Sequence, residues 1–95
     1  PPPPIGWKLD QFPNWNTLVM RRVYLIEGVG GIEVNDLERG DITVRYGYTP
    51  PMHAIMHPIL QGRGRFDDRF KNWIVFSLHS DEVLSDLERV AKRIV

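Results

Sequence analysis

The sequence predicts an α+β domain. Its antiparallel sheet is expected to come from an N-terminal three-stranded meander and a second hairpin, packed by a short broken helix and a C-terminal helix. Three patterns point there. From Ile42 to Tyr46 apolar residues alternate with Thr43 and Arg45, the period of two of a half-buried strand. From Val83 to Ile94 apolar residues recur at helical spacing along one face. In between, the β-branched and aromatic run Trp73-Ile74-Val75-Phe76 follows a polar stretch, Asp67 to Asn72, that suits a hairpin tip.

The elements follow in order. Pro1 to Pro4 favour stiff polyproline II and read as the end of an interdomain linker, so that 1–16 is a linker plus an arm packed through Trp7, Phe12 and Trp15, and 17–95 is the domain. Thr17 to Glu27 is rich in β-branched and aromatic residues and is interrupted by Gly28, Gly30 and Gly31, which predicts a strand, a turn and a short return strand at Ile32 to Val34. Thr49 followed by Pro50 and Pro51 is an N-cap with proline in the first turn. The helix it opens, Met52 to Leu60, is expected to break or kink near His57, because Pro58 lacks an N–H and crowds the carbonyl of Ala54; Gly62 ends it. Arg65 to Phe76 is the second hairpin. In the last helix Ser80 is the expected cap, Asp81 and Glu82 complement the dipole of the first turn, Glu88 and Lys92 form an exposed i,i+4 pair, and Lys92 and Arg93 lie near its C-terminus.

Composition narrows the function classes. A 95-residue chain forms one core. Twelve basic and twelve acidic residues leave no net charge, so any electrostatic attraction to a polyanion must be local. The absence of cysteine removes disulfides, thiolate metal sites and thiol nucleophiles, and fits a reducing, cytoplasmic setting. No apolar run approaches the roughly 18 residues of a membrane span, so no membrane partner is expected.

Catalytic patterns are weak, and the domain itself reads as non-catalytic. Ser77, Ser80 and Ser85 surround a helix start, where serine is ordinarily a cap. Asp67 and Asp68 suit a turn, since aspartate hydrogen-bonds its own backbone there. Gly28, Gly30 and Gly31 lack the lysine and the following helix of a phosphate loop. No cofactor is implied. His53 and His57 stand four apart, as in two-histidine metal sites, with His79 a possible third ligand; Pro58 beside the second argues against a metal. The remaining cluster is Gly62 to Trp73, where Arg63, Arg65, Arg69 and Lys71 are interleaved with Phe66, Phe70 and Trp73, and two glycines would let a ligand approach the backbone. Guanidinium and ammonium groups there would contact phosphates, and an exposed ring could stack on an unpaired base.

Arg65-Phe66-Asp67, Lys71, Trp73 and Val75 resemble the R-(W/Y/F)-D-x-x-x-(K/R)-x-W-x-(V/F) signature of the HARP modules of annealing helicases, and of similar modules in plasmid primases and conjugation-associated proteins. The resemblance covers residues 52–95. Phe66 stands where tryptophan or tyrosine is usual, and Phe76 where the plasmid versions end in proline. It implies an accessory module that grips DNA or RNA beside a catalytic neighbour in a larger DNA-metabolism or mobile-element protein. Arg63, Arg65, Arg69 and Lys71 would contact phosphates, Arg21, Arg22 or Arg45 would assist, and Trp73 would anchor the hairpin to the last helix. A protein-interaction or self-associating module accounts equally well for the neutral charge and the abundant aromatics.

Overall fold

The computed structural model describes residues 21–95, so the linker, the aromatic arm and the first part of the first expected strand lie outside the described residues. Five strands and two helices appear in the expected order, β1 (Arg22–Ile26), β2 (Gly30–Asp36), β3 (Ile42–Tyr46), α1 (Pro50–Leu60), β4 (Gly64–Asp67), β5 (Asn72–Val75) and α2 (Ser77–Val90), and a sixth strand, β6 (Lys92–Arg93), follows. The fold class is α+β. The strands form one sheet in the order β4-β5-β3-β2-β1-β6, with every neighbouring pair antiparallel.

Register decides what each side of this sheet carries. Side chains alternate between faces along a strand, and directly opposed residues share a face. Tyr24 lies opposite Ile32, Val34 opposite Val44, and Ile42 opposite Val75; these residues, with Ile26, form the buried face on which the helices dock. Met52, Met56, Ile59 and Leu60 from α1 and Val83 and Leu87 from α2 complete the core. The other parity, Val23, Leu25, Glu33, Thr43, Arg45, Arg65 and Ile74, looks away from the helices. Two polar links tie the core's rim. The Tyr24 hydroxyl donates to Glu88 of α2 at 3.0 Å, and burial, then that bond, pushes the phenol pKa upward. Arg22 reaches Asp36 at 2.5 Å on the helix side of the sheet. Burial works against its cation, and the carboxylate more than offsets this, leaving the Arg22 pKa raised.

Several local expectations are corrected. α1 runs unbroken through Pro58 from an N-cap at Thr49, whose hydroxyl oxygen accepts from Met52 N at 3.3 Å. Pro58 falls in the last turn and leaves only the carbonyl of exposed Ala54 without its donor, where water can serve. α2 starts at Ser77, not after Ser80. Its first amide is taken by a distant group, Asp41 Oδ1, which accepts from Ser77 N at 2.8 Å, and Ser80 donates its hydroxyl to the Ser77 carbonyl inside the helix. The helix stops at Val90. Lys92 and Arg93 leave it to pair with Leu25 and Tyr24 at the sheet edge, so no helical Glu88–Lys92 pair forms. A free strand edge satisfied the last residues' backbone groups better than one more helical turn would.

The glycines around the second hairpin serve folding. Gly62 takes a φ of +79° just past α1. A Cβ at Gly64 would lie 3.0 Å from Val75 Cγ2 and 3.1 Å from the Ile74 carbonyl oxygen, so this position lets β4 close on β5 rather than admit a ligand. Leu87 is fully buried where α2 meets the sheet. Leu87→Ala is expected to cost about 2–5 kcal/mol of unfolding free energy, read by urea denaturation, with a change under about 1 kcal/mol showing that α2 docks loosely.

Candidate nucleic-acid interface

The second hairpin does not gather its cations on one ridge. Arg63, at its base, turns toward α2, where Nη1 lies 2.6 Å from Asp86 Oδ2 and Nε 3.7 Å from Glu82. Arg65 in β4 opposes Ile74, and both belong to the open face of the sheet. Arg69 is at the tip, its guanidinium 5.1 Å from the centroid of the Phe70 ring. Lys71 closes the tip in a left-handed conformation, φ +57°, its N–H donating to the Asp67 carbonyl at 2.8 Å. The Asp67 carboxylate accepts from the amides of Arg69 (2.8 Å) and Phe70 (3.4 Å), the turn role its position suggests.

Two of the three rings lie on the other side. Phe66 opposes Trp73, and both share the helix face; Trp73 Nε1 donates to the hydroxyls of Tyr46 (3.2 Å) and Tyr48 (3.3 Å). Tyr48 stacks on Phe66 at 5.7 Å between centroids, and Trp73 meets the ring of His57 edge-on. Trp73 therefore anchors the hairpin to the end of β3 and to α1. Burial pushes the Tyr46 phenol well above its ordinary pKa, and the hydrogen bond with Tyr48 adds to this. Strand alternation thus parts Arg65, on the open face, from Phe66 and Trp73, on the helix face, while Arg63 reaches α2 and Arg69 and Phe70 stay together at the tip.

What the open face assembles instead is a hollow of about 480 Å³ lined by Arg21, Glu33, Arg45 and Lys71 among others. Its cations come from β1's leading end, β3 and the hairpin tip, brought together because β2 pairs with both β1 and β3 and β5 pairs with the other edge of β3. Arg21 meets Glu33 at 2.5 Å, and Glu33 is also directly opposite Arg45. Arg45, Arg65 and Lys71 make no ion pair among the described residues and are exposed. Arg22, by contrast, is spent on Asp36 behind the sheet. Arg45 was legible as an outward residue of an alternating strand. Its meeting with Lys71 depended on a strand order that no local pattern encodes.

The Arg63–Asp86 contact makes a pH prediction. The hydrogen bond from Arg63 holds the Asp86 carboxyl below its ordinary range, opposed by desolvation and helped by the charge of Arg89, which also contacts it. A carboxyl whose pKa is lowered on folding stabilises the fold fully above its unfolded value, about 3.9, and that contribution fades as pH falls through the folded value. Asp86→Asn should therefore lower Tm at neutral pH and lose less of it below about pH 4 than the parent chain does. Superimposable Tm–pH curves would mean the ion pair adds nothing. Compared with known proteins, the chain matches no family model, no curated protein and no solved structure.

Proposed function

We propose that this domain is a non-catalytic accessory module that binds the phosphate backbone of DNA or RNA across the open face of its sheet, through Arg45, Lys71 and Arg65 with Arg21 beside them. The observation that carries this reading is the hollow where Arg45 and Lys71 converge without an ion pair among the described residues. Glu33, the carboxylate opposite Arg45, is ion-paired with Arg21, and exposed cations outside any ion pair favour an anionic ligand, to which arginine and lysine supply a bidentate and a point-charge contact. Zero net charge is compatible with this, because recognition needs a local field and not a basic protein. The resemblance of Arg65-Phe66-Asp67, Lys71 and Trp73 to the HARP signature supports the same role, with Arg65 and Lys71 the signature cations that face solvent on the open side. Arg63 belongs to the structural framework in this reading, and Arg69 is peripheral.

A second reading, protein interaction or self-association, rests on the other half of the same face. Leu25 and Ile94 are 41% and 53% exposed, and the Ile94 amide donates to the Val23 carbonyl at 2.8 Å, placing an apolar strip beside the hollow.

Fluorescence anisotropy with short single- and double-stranded oligonucleotides at two ionic strengths separates the readings. Arg45→Ala with Lys71→Ala is expected to weaken binding alike for all sequences and to flatten the slope of log K against log salt by about two. Arg63→Ala should leave affinity unchanged while lowering Tm. Undiminished affinity in the folded double variant removes the proposal, and salt-insensitive self-association favours the second reading.

A further inference from the structure

On the opposite side of the sheet, α1 carries a feature that neither reading uses. The N-cap at Thr49 and the two prolines that open the helix fix its phase, so His53 and His57 fall one turn apart on a single face. Their ring centroids are 4.7 Å apart with planes inclined by 34°. Aromatic neighbours hold both rings. Tyr48 meets His53 edge-on at 5.6 Å, and Trp73 meets His57 at 6.3 Å and 69°. His53 is exposed and His57 half-buried, so the pair opens to solvent. Among the described residues the one imidazole that hydrogen-bonds a side chain is His79, which lies on α2 and contacts Glu82 at 3.2 Å; it does not converge with the pair, so it is not a third ligand.

We propose that His53 and His57 form a two-ligand site for a borderline divalent ion of the zinc type. The spacing fits the chemistry. With metal–nitrogen bonds of about 2.0–2.1 Å an ion lies about 3.2 Å from each imidazole centroid, and two rings sharing it at angles of about 90–110° have centroids about 4.5–5.2 Å apart. The observed 4.7 Å falls inside that window. Imidazole nitrogen selects zinc, copper or nickel over magnesium or calcium, which require oxygen ligands. No group of three or more histidine, cysteine, aspartate or glutamate side chains converges among the described residues, so the remaining coordination positions stay open to water or to a donor from outside the domain. That makes it an open site in kind, not a closed structural one. The unbroken passage of α1 through Pro58 is what permits it, since a break at His57 would have swung the second ring away.

The test is a titration of the full chain with zinc chloride, followed through the imidazole nitrogen signals of the three histidines by NMR, with magnesium chloride as the control. Saturable one-to-one shifts of His53 and His57, with His79 unmoved, are expected. Either His53→Ala or His57→Ala should weaken affinity by at least about tenfold, since even supporting residues around a metal contribute that much. His79→Ala and the Arg45→Ala/Lys71→Ala double variant should bind zinc as the parent chain does, which keeps this result separate from the phosphate-binding one. His57 packs on Trp73, so should its alanine variant lose the fold, the exposed His53→Ala decides alone. An equal response of all three histidines, as adventitious surface binding would give, or affinity surviving His53→Ala, overturns the proposal.

Discussion

Both helices pack on the same side of one antiparallel sheet, and the rest of the molecule follows from that constraint. Once Tyr24, Ile32, Val34, Ile42, Val44 and Val75 are committed to the helices, alternation commits every intervening residue to the far side. A slip of one residue in β3 would bury Arg45 and expose Val44, a double cost that fixes the register firmly. The open face is thus a by-product of core formation, and its chemistry is set by whichever residues occupy the unburied parity.

The sequence reveals period well and neighbourhood poorly. Alternation at Ile42 to Tyr46 and the helical stripe through Val83 and Leu87 identified a strand and a helix, since both signals are local. The start of α2 is not legible locally, because its amide cap comes from Asp41, thirty-six residues upstream, where no local motif can announce it. Its end was overrun because Val90, Ala91 and Ile94 continue the apolar spacing, while the edge of β1 offers backbone partners that only the folded sheet possesses. Pro58 does not break α1, because near a helix terminus the bond it removes is one that water can replace.

The same limitation applies to the candidate site. Within Gly62 to Trp73 the sequence places cations and rings side by side, yet adjacent strand positions face opposite ways, so Arg65 parts from Phe66 and Trp73 while only Arg69 and Phe70, at the tip, stay together. Arg63 left the group altogether because α2 brings Asp86 to it. Arg45, twenty-six residues before Lys71, joined it because β5 lies against β3. The aromatic half of the cluster, tied by Trp73 to Tyr46 and Tyr48, now braces the hairpin and frames the paired imidazoles of α1.

Lys71 sets two demands against each other. Its left-handed backbone costs a side-chain-bearing residue about 1 kcal/mol that glycine would not pay, and the hairpin tip would be more stable with glycine there. A chain selected for stability alone would drift toward that exchange and lose the ammonium group that faces the hollow. At this one position the turn and the hollow therefore make opposite demands, the first on the backbone and the second on the charge at its rim.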